Sequence, residues 1–263
     1  MRKTFSARRI WLVLKRDIME NWRSNLWMAL AIYAIDLLYM FTVMPEENTF
    51  WYFKLSVADF FLSFCVIIMM VCASMIMKPM ATKEKCISYL MLPASRLEKF
   101  LARFLCVTVG CLLLSFLAVI LADITRILIL VPLLHIDEEF YHPVFTACCK
   151  IRYTVFFSSF GEAGHLFEFI GTAFMQSFFM LCGCIWRKNA FFKALAIMVA
   201  VPIVATVLAG LYLDLDSGIF RWMLRGHPLE YMVWWIDAFL LLLTLLFWYL
   251  SYWKFVRKQI VMH

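Results

Sequence analysis

Six apolar runs, each close to twenty residues long, set the terms on which this 263-residue chain can fold. A hydrocarbon core about 30 Å thick takes roughly 20 helical residues to cross. Inside it, every backbone amide and carbonyl must find its partner within the protein. The runs lie at Leu26–Met44, Val57–Met77, Phe104–Ala122, Leu166–Trp186, Ala194–Leu213 and Tyr231–Trp253. None shows the roughly ten-residue alternation of a barrel strand. Hydrophobic residues make up 65% of the chain and charged residues 16%, whereas a soluble domain is nearer half apolar. The expected fold is an all-α integral membrane protein, a six-transmembrane-helix bundle forming one domain over residues 1–263.

Orientation follows from Lys and Arg, which resist translocation when they stand close to span ends. Nineteen of the 25 basic residues fall on one side of the expected membrane. They lie in the N-terminal arm (Arg2, Lys3, Arg8, Arg9, Lys15, Arg16, Arg23), the second-to-third linker, the fourth-to-fifth turn and the C-terminal tail. Both termini are therefore expected to be cytosolic. The net charge of +7 answers to this bias and to an anionic inner leaflet, which points to membrane lipid rather than nucleic acid as the polyanion met.

No cleavable signal peptide is expected, since the first apolar run is span-length and ends in MPEEN rather than a small-residue cleavage site. Six of the nine cysteines (65, 72, 106, 111, 182 and 184) fall in spans, where Cys packs as a small apolar residue. Cys86 falls on the cytosolic side and Cys148 with Cys149 on the outer side.

The arm before the first span has its own pattern. Trp11, Leu14, Ile18 and Trp22 recur at helical spacing, with Arg9, Lys15, Arg16, Glu20 and Arg23 around much of the remaining circumference. That pattern predicts an amphipathic helix over residues 1–25, lying in the cytosolic interface with its apolar face on the membrane.

Residues 78–103 form the most informative linker. Pro79 is expected to end the second span just after Met77, because proline lacks an amide donor and crowds the preceding turn. Thr82–Met91 then reads as a short helix presenting Lys83, Glu84 and Lys85. Pro93 disfavours helix at Leu92. Ser95 restarts it, with Glu98 three residues on, as the S-x-x-E pattern of a capping box. The stretch YLMLPASRLEKF is thus a helix end, a break and a capped start.

Several charged residues fall within or beside spans. Asp36 stands near the middle of the first, where an acidic side chain costs roughly 2.5–3.5 kcal/mol and so faces protein or water. It reads either as a pathway-lining or coupling carboxylate or as one satisfied by neighbouring Tyr, Thr or Ser hydroxyls. Asp59, Asp123, Glu168 and Asp237 fall towards the outer ends of their spans, at headgroup level, and Asp123 is placed three residues from Arg126 to pair with it. The outer stretch HIDEEFYH holds His135, Asp137, Glu138, Glu139 and His142 without helical metal-ligand spacing, and reads as a solvated acidic loop more readily than a metal site. Pro202 is expected to kink the fifth span, and residues 214–230 to hold a short interfacial helix around Ile219–Leu224.

Six spans, cytosolic termini, an interfacial N-terminal helix and a helical second-to-third linker together resemble an ABC-2-type transporter permease subunit. The run LMLPASRLEKF resembles the linker motif of a bacterial branch of that family. The resemblance implies a multi-pass protein of the bacterial cytoplasmic membrane, with residues 214–230 as the hairpin between spans five and six. It implies that Thr82, Lys83, Glu84, Lys85 and Tyr89 belong to a coupling helix that docks on a separate ABC ATPase subunit, and that Pro93, Ser95 and Glu98 form its joint to span three. The chain has no G-x-x-x-x-G-K-[ST] phosphate loop, so ATP belongs on the partner subunit, no cofactor is expected here, and a homodimer or second permease subunit completes the assembly. Two other readings stay open: a membrane scaffold or sensor without transport, and an intramembrane enzyme built on Asp36 or HIDEEFYH.

Overall fold

Proline and glycine placement explains much of how the helices begin, bend and stop. A computed structural model describes residues 5–43, 50–80, 83–134, 142–144, 169–186, 188–212 and 229–261, and among these there is helix but no strand. The chain divides into two compact units, residues 1–72 with 87–159, and residues 73–86 with 160–263.

In the first unit, α1 (Ala7–Glu20) is followed almost at once by α2 (Trp22–Val43). Only Asn21 interrupts them, and its side-chain amide donates to the Asp17 carbonyl at 3.0 Å. Helix α3 covers Phe50–Ser74. The next long helix starts as α5 (Arg96–Leu105) and passes through a π-helical turn at Cys106–Gly110 into α6 (Cys111–Thr125). A second π-turn at Arg126–Leu130 leads into α7 (Val131–Leu134). The third span is thus much longer than Phe104–Ala122, continuing outward as its apolar residues foretold. The second π-turn precedes Pro132, which has no N–H for the carbonyl one turn back, so the ladder must readjust there.

Aliphatic and aromatic side chains hold this unit together. Met40, Phe53, Val57, Ala58, Phe61, Cys65, Val119 and Ala122 bury one another between α2, α3 and α6. Tyr39 stacks on Phe60 with ring centroids 3.8 Å apart, and its hydroxyl donates to the Ser56 carbonyl. Where α2 meets α6, the hydroxyls of Tyr33 and Thr125 are hydrogen-bonded at 3.0 Å.

In the second unit, a 3₁₀ turn (Lys78–Met80) leads towards α4 (Lys83–Leu90), whose last turn belongs to the first unit. Regular helix ends at Ser74 rather than Met77. The ring of Pro79 clashes with the carbonyl four residues back, so the intervening backbone tightens into three-residue bonds, Ile76 to Ala73, Lys78 to Met75 and Met80 to Met77. Helices α8 (Phe169–Ile185), α9 (Ala190–Tyr212) and α10 (Leu229–Val261) complete the unit. Phe174 and Phe178 of α8 pack on Phe247 of α10, and Phe179 packs on Phe191 of α9. Gly183 lies against the Ser74 backbone, where a β-carbon would stand 2.8 Å from the Ser74 carbonyl carbon. Helix α9 continues through Pro202 for all of its 23 residues.

Four helical stretches among the described residues are long and apolar enough to cross a membrane, Trp22–Val43, Tyr52–Met80, Arg96–Ile129 and Trp234–Arg257, with shorter apolar helices at Phe169–Ile185 and Ala190–Val204. Their outer faces carry many exposed large apolar side chains, among them Leu38, Leu113, Leu128, Phe239 and Leu242. In water that surface would be prohibitive, whereas lipid accepts it. The chain is a helical membrane protein.

Candidate functional site

The linker joint is built around one carboxylate. Ser95 has extended backbone (φ −68°, ψ 159°), and its hydroxyl accepts from the Glu98 amide at 3.3 Å. Glu98 returns the bond through Oε2, which accepts from the Ser95 amide at 2.7 Å, so the capping box legible in the sequence is formed. Its other oxygen reaches a different helix. Oε1 accepts from the Ser6 amide, at the start of α1, at 2.9 Å, and lies 3.1 Å from Nη2 of Arg9. The Glu98 side chain is wholly withdrawn from solvent. A buried carboxylate is tolerable only with several charge-matched donors, and here two backbone amides and a guanidinium supply them.

Two turns along α1, Asp17 accepts from Nη1 of Arg103 at 2.5 Å, with both side chains only 7% exposed. Helix α1 is therefore fastened to α5 at two points by ion pairs removed from water. Arg16 extends the contact to α4: Nη2 donates to Ser88 Oγ at 2.5 Å while Nε pairs with Glu20 at 2.6 Å. The buried Tyr89 hydroxyl donates to the Lys99 carbonyl at 3.1 Å, and Lys99 Nζ stands 5.9 Å from the centre of its ring. Burial pushes the Tyr89 phenol well above its usual value, with Asp17 adding to the effect, so it remains a donor. The end of α4, the start of α5 and the whole of α1 form one polar knot.

This arrangement corrects the reading of α1 in one respect. Trp11, Ile18 and Trp22 are exposed, as suits a face laid on lipid, but the buried side is Val13 with Asp17, turned to α5. Arg9 and Arg16, expected to face water, are bonded to Glu98 and Ser88. Helix α1 rests on protein through charged side chains. Periodicity locates an apolar stripe but cannot register a polar face that finds partners far along the chain. The overlooked residues are thus Ser6, Arg9, Arg16, Asp17 and Arg103. The isolated Asp17 in an otherwise basic stretch was the available signal.

Of the other linker residues, Thr82 lies outside the described residues, as do His135, Asp137–Glu139, Cys148, Cys149, Glu168 and residues 214–228. Lys83, Glu84 and Lys85 lie on the first turn of α4, Glu84 exposed. Pro93 is exposed in the break between α4 and α5. The linker residues from Tyr89 to Glu98 come together; Asp36 stands apart from them on α2.

Asp36 is buried at 3% exposure on the stripe Ile32, Asp36, Met40, and its Oδ2 has no hydrogen-bond partner among the described residues. Hydroxyl neighbours thus leave that oxygen unsatisfied. Asp123 and Arg126 do pair, through Nε at 2.9 Å and Nη2 at 2.8 Å. They are not solvated at headgroup level, however. Both are buried, Arg126 also donates to the His142 carbonyl, and the second Asp123 oxygen accepts from the Val144 amide. The pair pins residues 142–144 to the outer end of the long helix. Asp237 too is buried, at 4% exposure, with neither oxygen hydrogen-bonded among the described residues, while Asp59 is exposed.

Among the described residues no group of three or more His, Cys, Asp or Glu stands arranged to hold a metal ion. No protein family, curated protein or solved structure matches the chain.

Proposed function

We propose that the chain is the membrane-spanning permease subunit of an ABC-2-type transporter in a bacterial cytoplasmic membrane, driven by a separate ATPase subunit. In this reading α8 and α9 complete six spans and both termini are cytosolic. The observation that carries the proposal is Glu98, which closes the cap of α5 and grips the start of α1 with the same carboxylate. Such a joint suits a linker that must pass force into a span rather than merely connect two helices. Helix α4 is the docking element, Pro93 sets the break, and α5 carries the displacement into α6. Work on α4 would reach α2 as well, through α1. The cargo is left undefined by this geometry, and Asp36 is the side chain placed to meet it.

The test has two parts. Cysteine probes at Asn48 and Ser217 should label from outside the cell, and probes at Lys83 and Gln259 should not. Affinity-tagged protein should also capture an ABC ATPase whose hydrolysis depends on this chain. External labelling at Lys83 would end the six-span topology. Correct topology without any captured ATPase would leave a scaffold or sensor as the better reading.

A further inference from the structure

Three sulfur atoms from three helices meet inside the first unit. The Cys72 thiol of α3 donates to the Met28 thioether of α2, with the sulfurs 3.7 Å apart. It is also hydrogen-bonded to the thiol of Cys111, the first residue of α6. Cys72 and Cys111 are both buried, Met28 is half-buried, and no disulfide joins the two cysteines. Simple apolar packing does not require thiols to face one another. The nearby Ser115 hydroxyl donates to a carbonyl of its own helix, that of Cys111, as polar side chains in spans commonly do. The π-turn at Cys106–Gly110 ends immediately before Cys111 and shifts its direction relative to a regular helix.

We propose that Met28, Cys72 and Cys111 form a binding site for a soft monovalent metal ion, Cu(I) in the first instance. Thiolate and thioether ligands select Cu(I), whereas carboxylate and water suit magnesium or calcium. Metal–thiolate bonds run near 2.3 Å, so three sulfurs around one ion stand roughly 4 Å apart, close to the spacing of Met28 and Cys72. Zinc takes four ligands and, in structural sites, nitrogen or thiolate at each; this trio offers three, one of them an uncharged thioether. On loading, one thiol loses its proton to water, a sulfur–copper bond replaces the S–H···S hydrogen bond, and no electron is transferred. A copper(I) thiolate is neutral overall, which suits an apolar interior where a net charge is costly. The site does not depend on the transporter reading.

The experiment is an anaerobic Cu(I) titration of the full chain in detergent, with reductant present and a chromophoric Cu(I) chelator as competitor. One equivalent should bind, with near-ultraviolet thiolate-to-copper absorption and proton release. Cys72→Ser and Cys111→Ser should each weaken binding by more than about 100-fold, beyond what loss of an outer-shell partner costs. Met28→Leu nearly conserves volume and keeps the fold; it should weaken binding while leaving the thermal midpoint in place. Cys182→Ser, on α8, should bind as the parent does. Absence of stoichiometric binding would overturn the proposal, as would binding that survives Met28→Leu and Cys72→Ser unchanged, or zinc outcompeting Cu(I). A Cys72–Cys111 disulfide that resists reductant in the purified protein would also overturn it.

Discussion

Arg9 and Glu98 form an ion pair at 3.1 Å in which the carboxylate is fully buried and the guanidinium is 29% exposed. The asymmetry assigns the roles. Glu98 is the fixed post, already committed to its cap, and Arg9 reaches in from the margin. Glu98→Ala should therefore cost more than the roughly 0.5–2 kcal/mol of a lost helix cap, because the Ser6 amide and Arg9 lose their acceptor as well. Glu98→Gln, which keeps an acceptor but loses the charge, should fall between. Hydrogen exchange in the protein checks this: amides of α1 and of Ser95–Leu97 should exchange faster in Glu98→Ala, while those in the middle of α6 hold. Unchanged exchange in α1 would mean that the contact does not secure it.

Asp17 and Arg103 make the more deeply withdrawn pair. Removing either partner strands the other, a loss of about 3–5 kcal/mol in buried pairs generally, whereas replacing both with apolar residues of similar volume is often neutral. Asp17→Leu and Arg103→Met should each lower thermal stability strongly, and the double variant should recover most of it. A double-mutant cycle on purified protein measures the difference. Additive losses would show that the two side chains do not depend on each other.

Two glycines of α8 should respond in opposite directions to alanine. At Gly183 the added methyl meets the Ser74 backbone, which cannot rotate aside, so Gly183→Ala should destabilise by about 1–3 kcal/mol. At Gly171 nothing stands within 4 Å, and the better helix propensity of alanine should leave stability level or raise it by up to about 1 kcal/mol. Thermal unfolding in detergent compares the two. Equal effects would mean that α8 does not approach Ser74 so closely.

What could be seen from sequence alone was whatever repeats or is local. The span of α2, the break at Pro93 and the Ser95–Glu98 box each follow from residues within a turn or two of one another, and the box is formed as its spacing required. The two outer residues Asp123 and Arg126 were matched for the same reason, being three apart on one helix. Their burial was not legible, because it depends on residues 142–144 folding back over them. Nor was the second partner of Glu98. A carboxylate has four lone-pair directions, and a capping motif accounts for only one oxygen. Asp17 and Arg103 escaped notice because a pair that distant in sequence leaves no spacing to detect. Helix ends suffered in the same way: Pro79 announced a stop, but its ring acts on the turn before it, so regular helix ended earlier than the apolar run.

The joint at Pro93 and Ser95 yields the prediction closest to function. Pro93 is exposed and Ser95 half-buried, so replacing them disturbs no core. Pro93→Gly with Ser95→Ala should cost only the cap, about 0.5–2 kcal/mol, and glycine adds freedom where proline fixed the chain. The bundle should assemble while the angle between α4 and α5 loosens. If the chain works as proposed, the ATPase subunit should still be captured, but its hydrolysis should no longer follow cargo. Reversing charge with Lys83→Glu and Lys85→Glu should act differently, weakening capture itself, and more so at low salt, where surface charges are least screened. Pull-down and ATPase assays on both variants separate docking from transmission. Should neither variant alter either readout, the linker is a tether, and the force path from α4 through Glu98 to α1 has no work to carry.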